Sequence, residues 1–339
     1  MRLKYSFIIA TYNRLEEMKE LCTSLKKLDF DLTSFELVVI DDGSGDGTKD
    51  YFQSHHYPFS VQYAWQQNKG PGAARNQGMT IANGEYFIFV DSDCILPPGY
   101  LTEVSYFLAH NPVDAFGGPD TYHNSFSPMI KAINYSMTSF LGTGGTRGST
   151  KNVTKYYPRS FNMGIKREVF EKIGGMNELR HGQDMDFSSR IYENGFKVGF
   201  IEKAFVYHKR RTSLKKFFKQ IFNWGVARVN LGRKHRELLT MVHFLPAMIL
   251  LFVLFILIGA FFSALLSKLL IFGIIAFLGL EVFAFFQSFS MYKELKPALL
   301  SMVTLPLQVL ACGLGTWSGL LQWLKGKETA EGFVKNYYK

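Results

Sequence analysis

Three long stretches in the last third of the chain are nearly free of charge, and they limit its architecture more than any other feature. Leu238 to Ser267 contains no Asp, Glu, Lys or Arg, Leu269 to Tyr292 contains only Glu281, and Pro297 to Leu324 contains none. Each exceeds the roughly 20 residues a helix needs to cross a bilayer core. Spans are therefore expected at about 242–264, 269–290 and 298–323, within a membrane region 238–325 and ahead of a polar tail, 326–339. Just before them, Lys203 to Arg236 holds eleven Lys or Arg and no acid. The net charge of +10 is thus local, since the remainder carries 27 basic against 28 acidic residues. A basic block beside membrane spans marks the cytoplasmic side and faces anionic lipid. Nucleic acid is the usual rival partner for such a cluster, but the adjoining spans favour a membrane, and no nucleic-acid partner is expected.

Leu214, Phe217, Phe218 and Ile221 recur at helical spacing, with Lys215, Lys216, Lys219 and Gln220 on the other face. Residues 212–237 therefore read as an amphipathic interfacial segment, the alternative being a surface helix of a globular domain. Three crossings would put the tail on the far side of the membrane. Its Lys325, Lys327, Lys335 and Lys339 speak against that side, although Glu328 and Glu331 accompany them. Glu281 inside a span is a functional candidate by default, with helix packing or a lipid head group as equal alternatives. Gly315 and Gly319 form a pair that lets another helix approach closely.

The portion before this region looks like an ordinary α/β protein. Apolar runs at Tyr5–Ala10, Phe35–Ile40 and Phe87–Val90 show no alternation, as strands covered on both faces should. Helical stretches at Arg14–Leu28 and Pro71–Asn83 separate them, which predicts βαβ units and a mostly parallel sheet. Asp114 to Pro158 is less regular, and Gly142–Gly148 reads as a flexible loop. Three scattered cysteines, Cys22, Cys94 and Cys312, form no disulfide framework and fit a reducing compartment. Tyr5–Ala10 is too short for a signal peptide, so this portion is expected to stay cytosolic.

Acids gather where the strands end. Phe87–Val90 stops at Asp91-Ser92-Asp93, and Phe35–Ile40 at Asp41-Asp42. Open α/β sheets bind ligands at the carboxyl ends of their strands. The Asp91/Asp93 pair suits Mg²⁺, which often binds one or two carboxylates plus substrate phosphates, whereas a carboxylate at Asp41-Asp42 can accept from a nucleobase N–H or a ribose hydroxyl. Each pair also has a plainer reading, as a capping or turn-forming acid. Gly70-Pro71-Gly72-Ala73-Ala74-Arg75 opens a helix whose free N–H groups suit an anion, or is simply a turn. It matches neither a Walker A loop nor a dinucleotide fingerprint. Gly182-Gln183-Asp184-Met185-Asp186 opens another helix, on which Asp186 is spaced to pair with Arg190 and Asp184 either faces a cleft or is simply a first-turn acid favoured by the helix dipole. His208, after the last strand, is a metal ligand or a surface imidazole.

In this order, SFIIATYNR, ELVVIDDGSGDGT, NKGPGAARNQGM, GEYFIFVDSDC, FNMGIKREVFEKIGGMNE and GQDMDFSSRIYENG resemble a family 2 glycosyltransferase over about residues 4–210. The resemblance implies a GT-A fold for residues 1–211, an α/β domain whose Rossmann-like half binds a nucleotide-sugar and abuts an acceptor half. It implies that Thr11, Tyr12, Asp41 and Asp42 line the base and ribose pocket, with Lys69 and Arg75 near the base and diphosphate. In the Asp91-Ser92-Asp93 motif, Asp91 would contact ribose or sugar and Asp93 would hold Mg²⁺ or Mn²⁺, joined by His208. Asp184 matches the general base. Gln183 stands where the family usually has Glu, which changes the charge beside that base. The Q-x-x-R-W signature of processive synthases is missing, for Gln220-Ile221-Phe222-Asn223-Trp224 lacks the arginine. The implied activity is inverting sugar transfer, most often from a UDP-sugar, to a hydroxyl of a lipid-linked or membrane-proximal acceptor in cell-envelope glycan synthesis. It would occur at the cytoplasmic face of the cell membrane. A processive polysaccharide synthase and a non-catalytic membrane scaffold are the alternatives.

Overall fold

A computed structural model describes residues 3–143, 155–177, 179 and 181–333. Most of the glycine-rich Gly142–Gly148 stretch, read as a flexible loop, lies outside them. The chain divides into two compact units. One comprises residues up to His123 together with those from 155 to Lys209, and the other Asn124 to 143 and Arg210 to 333.

The first unit is built on β1 (Tyr5–Thr11), α1 (Leu15–Leu25), β2 (Phe35–Asp41), α2 (Thr48–Ser54), β3 (Ser60–Trp65), α3 (Pro71–Ile81), β4 (Tyr86–Val90), β5 (Cys94–Ile95), α4 (Tyr100–His110), β6 (Ala115–Gly117) and β7 (Asp120–Thr121). The chain then forms α5 (Pro128–Thr138) and the single turn α6 (Phe140–Thr143) in the second unit. It returns to the first as β8 (Asn162–Lys166), α7 (Arg167–Ile173), α8 (Gln183–Glu193), β9 (Val198–Phe200) and β10 (Val206–His208). Seven strands make one sheet in the order β3-β2-β1-β4-β8-β6-β9. The β1–β2, β2–β3, β1–β4 and β6–β9 pairs are parallel, and β8 runs antiparallel to both β4 and β6. The sheet is mixed, as a GT-A architecture requires.

The period-2 geometry of a strand explains the core. Phe7, Ile9, Leu37, Val39, Ile88 and Val90 point to one face, with Met18 and Leu21 of α1 and Val104 of α4. Their neighbours Ile8, Val38, Ile40, Phe87 and Phe89 point to the other, with Met79 of α3, Val169 of α7 and Phe187 of α8. Both faces are covered, so these strands carry no polar alternation. Three short strands make a second sheet, β5-β10-β7, and its Cys94 and Val206 join the core on one face of the large one. Its pairing sets His208 opposite Cys94 and Val206 opposite Asp120.

The second unit is helical. It contains α5, α6, α9 (Leu214–Lys234), α10 (Leu245–Gly259), α11 (Ala264–Tyr292) and α12 (Leu295–Leu324). Three stretches, Met241–Gly259, Ala264–Tyr292 and Leu295–Leu324, are long and apolar enough to cross a membrane. The second extends beyond the expected 269–290 and takes in Lys268. The apolar face of α9 is buried through Phe217, Ile221, Val226 and Val229. It lies on α12, where Gly315 meets the Phe222 backbone, Gly225 meets Cys312, and Gly319 meets Val229. The close approach anticipated at Gly315 and Gly319 is therefore made by α9. The irregular middle segment contains α5, whose Ser127 cap and first-turn Pro128 start it. Its Asn134 and Ser136 bond to Tyr292 and Thr304, so these residues pack with the helices although the 1–211 boundary groups them with the sheet.

Candidate active site

The acids at the strand ends divide into those that accept from loop N–H groups and those that pair with cationic side chains. Thr11 and Asp41 are partners in register at the carboxyl ends of β1 and β2. Asp41 accepts from the Ser44 N–H at 2.7 Å and from the Tyr63 hydroxyl at 2.6 Å. Asp42 accepts from the Gln66 amide and from the backbone N–H groups of Lys69 and Gly70, both at 2.8 Å. Both aspartates are fully buried. The Asp42 oxygens thus hold the loop that carries Lys69 and leads into α3, and those of Asp41 hold the turn at Ser44 and the Tyr63 side chain. The Thr11 hydroxyl is buried with no hydrogen-bond partner among the described residues, and Tyr12 beside it is half-buried.

At the end of β4 the two acids of the Asp91-Ser92-Asp93 corner take different partners. Asp91 Oδ1 pairs with Arg75 Nη2 at 2.6 Å, so the cation of the α3 helix start is committed to this corner. Asp93 Oδ2 lies 3.6 Å from Arg14 Nη1, and Asp93 Oδ1 lies 3.3 Å from His208 Nε2. The other ring nitrogen of His208, Nδ1, is 3.2 Å from Asp120 Oδ2. The short β10 strand makes this possible, because it pairs with β5 on one side and β7 on the other. Burial acts to lower the His208 pKa, but the Asp93 charge and the Asp120 hydrogen bond outweigh it and lift it to about 9. Arg14, although it ends the SFIIATYNR motif, and Asp120, which lies in none of the motifs, were given no role by the sequence. Only pairing between distant strands brings them here.

The remaining candidate, Asp184, sits in the first turn of α8, and its Oδ1 accepts from the Met185 N–H at 2.9 Å. Gln183 packs against Gly72 in the first turn of α3; a Cβ there would meet its amide at 2.5 Å. The starts of α3 and α8 are therefore adjacent, one leading to Arg75 and Asp91 and the other to Asp184. Asp186 pairs with Arg190 at 3.0 Å, as its spacing predicts.

The model of Glycosyl transferase family 2 matches residues 6–174, which run from the second residue of β1 past β8 and contain every strand-end acid described above. The chain belongs to this family. The Glycosyl transferase family 21 model matches residues 140–311. Among family relatives, the Staphylococcus aureus poly(ribitol-phosphate) beta-N-acetylglucosaminyltransferase TarS is 26% identical over 224 residues, 62% of this chain and 36% of its own length. The chain thus spans little more than a third of TarS. Glycosyltransferase AglE of Haloferax volcanii is 26% identical over 258 residues, covering 71% of this chain and 81% of AglE. A solved structure of the mannosyltransferase PcManGT from Pyrobaculum calidifontis, in complex with GDP-Man and Mn²⁺, is alike in fold. It has a TM-score of 0.63 at 16% identity and covers 91% of this chain and 88% of that one.

Family 2 transferases often use a divalent cation, and the donor set at Asp93 fits one. Asp93, Cys94 and His208 each offer an atom within 4.8 Å of the others. Cys94 is fully buried near Asp93, Asp91 and Asp120, and burial and those charges hold its thiol well above the usual range. It stays a neutral thiol, which leaves a carboxylate and an imidazole. Carboxylate and water suit Mg²⁺ and Mn²⁺, whereas soft metals prefer thiolate. Asp120, accepting from Nδ1, would direct the Nε2 lone pair outward, as carboxylates behind metal-bound histidines do.

Proposed function

We propose that this chain transfers a sugar, with inversion, from a nucleotide-sugar donor to a hydroxyl of a lipid-linked or membrane-proximal acceptor in cell-envelope glycan synthesis. UDP is the favoured nucleotide, and the sheet unit works at the cytoplasmic face of the cell membrane. The observation that carries this reading is the Asp91–Asp93–His208–Asp120 group at the carboxyl end of β4, in a chain of this family.

Asp93 Oδ1 and His208 Nε2 are the atoms proposed to hold Mg²⁺ or Mn²⁺. A bound cation would supply charge against the departing diphosphate. Thr11, Tyr12, Asp41 and Asp42, with Lys69, are proposed to form the base and ribose pocket, the two buried acids acting through the loops they fix. Arg75 and Ser92 support the sugar–diphosphate end through Asp91. Asp184, whose Oδ1 is engaged by its own helix, keeps Oδ2 to take the proton from the acceptor hydroxyl. TarS and AglE are named as glycosyltransferases, and the PcManGT complex carries a nucleotide-sugar and Mn²⁺, which supports the donor class and the cation.

The test is nucleoside diphosphate release by the full chain in detergent, across UDP-, GDP- and dTDP-sugars, with and without Mn²⁺. Release that needs Mn²⁺ is expected with at least one donor. Its absence with all of them would remove the enzymatic reading.

A further inference from the structure

We infer that α10 and α11 cross the bilayer as a hairpin while α12 lies along the membrane surface, so that α9 and the C-terminal segment face the same compartment. The inference rests on the membrane association proposed above and concerns only the helical unit. Its partner is a lipid bilayer.

The first observation is where the chain goes after α12. Asn230 of α9 donates to the Ala330 carbonyl at 2.8 Å and accepts from the Ala330 N–H at 2.9 Å. Arg233 Nη1 donates to the Lys327 carbonyl at 2.8 Å, and Asn223 Oδ1 accepts from the Phe333 N–H at 2.9 Å. Residues 327–333 are thus bonded along α9. A segment bonded along α9 cannot lie across a membrane from it, so the chain crosses an even number of times between Lys234 and Lys327. Three candidate spans cannot all be crossings.

The second observation identifies the one that does not cross. Along its second half α12 is covered by α9, through Gly315, Gly319 and the facing Phe222, Gly225 and Val229. Along its first half it is covered by α5, where Ser136 Oγ lies 2.7 Å from Thr304 Oγ1. Both covering helices carry cations. α9 carries Lys215, Lys216, Lys219, Arg228, Arg233 and Lys234, and α5 buries Lys131, paired with Glu294 at 2.6 Å. If α12 stood across the bilayer, these cations would be carried into the hydrocarbon, where each is strongly disfavoured. The large apolar residues exposed on α12 include Leu299, Val303, Leu310, Leu314 and Leu321. They recur at alternating steps of four and seven, a single stripe such as an in-plane helix sinks into the acyl boundary.

The hairpin has the opposite character. Residues 271–280 of α11 are exposed on every side, as are 251–255 of α10. At the tip, Phe261 and Phe262 are 87% and 85% exposed. Glu281 is the first buried residue of α11 after these. From Ala264 to Glu281 the helix rises roughly 26 Å, close to the thickness of a hydrocarbon core of about 30 Å. The open end of the hairpin rests on α12, with Trp317 Nε1 donating to the Ala247 carbonyl at 3.0 Å and Ser288 bonded to Ser301 at 2.8 Å. Glu281 then sits at the membrane boundary, at the base of the hairpin, and not at mid-bilayer. The lysines at 325 and 327 fall on the side of the basic block.

The test is labelling of single introduced cysteines in the full chain with a membrane-impermeant maleimide, in sealed vesicles of both orientations. The unsubstituted chain serves as the background for Cys22, Cys94 and Cys312. Lys216→Cys and Lys327→Cys should label from one face, and Phe261→Cys only from the other. Labelling of Lys327→Cys solely from the face opposite Lys216→Cys would overturn the inference and leave the membrane reading in place. Labelling of Phe261→Cys from the same face as Lys216→Cys, in protein that alkaline carbonate strips from the vesicles, would overturn both.

Discussion

His208 draws together the chemistry at the residue scale, held on one nitrogen by Asp120 and facing Asp93 with the other. Its folded pKa of about 9 exceeds the ordinary value near 6.5. In the metal-free protein this pairing should therefore stabilise fully below about pH 6.5 and fade as the pH rises toward 9. The contribution at stake is up to about 3 kcal/mol. Urea unfolding of the metal-free chain at pH 6 and pH 9.5 measures it, and equal stability would contradict the pairing. Asp120→Asn should weaken Mn²⁺ binding roughly 10- to 100-fold, the usual cost of losing a carboxylate behind a metal-bound histidine. Electron paramagnetic resonance of free Mn²⁺ reads that directly, without turnover. Asp184→Asn should lower kcat at least about 100-fold, the scale of a positioned base, and leave donor KM within about threefold. A parallel loss in donor KM would make Asp184 a binding residue instead.

Glycines govern contact between helices at the element scale. Gly315 lies against the Phe222 backbone, where any side chain must push α9 away from α12. Gly315→Val should thus destabilise the helical unit by roughly 1–3 kcal/mol, the usual cost of overpacking. Thermal unfolding in detergent should show the loss in the helical signal while metal binding at Asp93 is kept. Gly72 plays a similar part in the sheet unit by admitting Gln183 between the starts of α3 and α8. The strands themselves were plain in the sequence, because β1, β2 and β4 are uninterrupted apolar runs buried on both faces. The helix α5 was not. Its Lys131, Asn134 and Ser136 break the apolar pattern, yet all three are buried against polar partners on other helices.

Each of the two compact units has its own core, one around the seven-stranded sheet and one between α5, α9 and α12. A donor analogue should therefore act on one of them alone. UDP with Mn²⁺ at a hundredfold excess over its dissociation constant should stabilise the sheet unit by about 2.7 kcal/mol. Calorimetry should register this as an upward shift of one unfolding transition and not of the helical one. A shift of equal size without Mn²⁺ would separate nucleotide binding from Asp93 and His208.

The sequence by itself determined the covered strands, the strand-end acids, the three apolar stretches and the family motifs. All of these are written in local composition, in runs of a few residues whose burial or chemistry needs no distant partner. Only the tertiary structure decided which partner each acid takes. Asp41 and Asp42 look like ligands in the sequence, but loop N–H groups and side chains take up their oxygens. Asp120 looks like nothing, yet it orients His208 from 88 residues away. The side of the C-terminal segment was likewise undecidable from apolar length alone, since hydropathy counts helices without saying what lies beside them. Hydrogen bonds between α9 and residues 327–333 bear on it, and those form only once the chain has folded back.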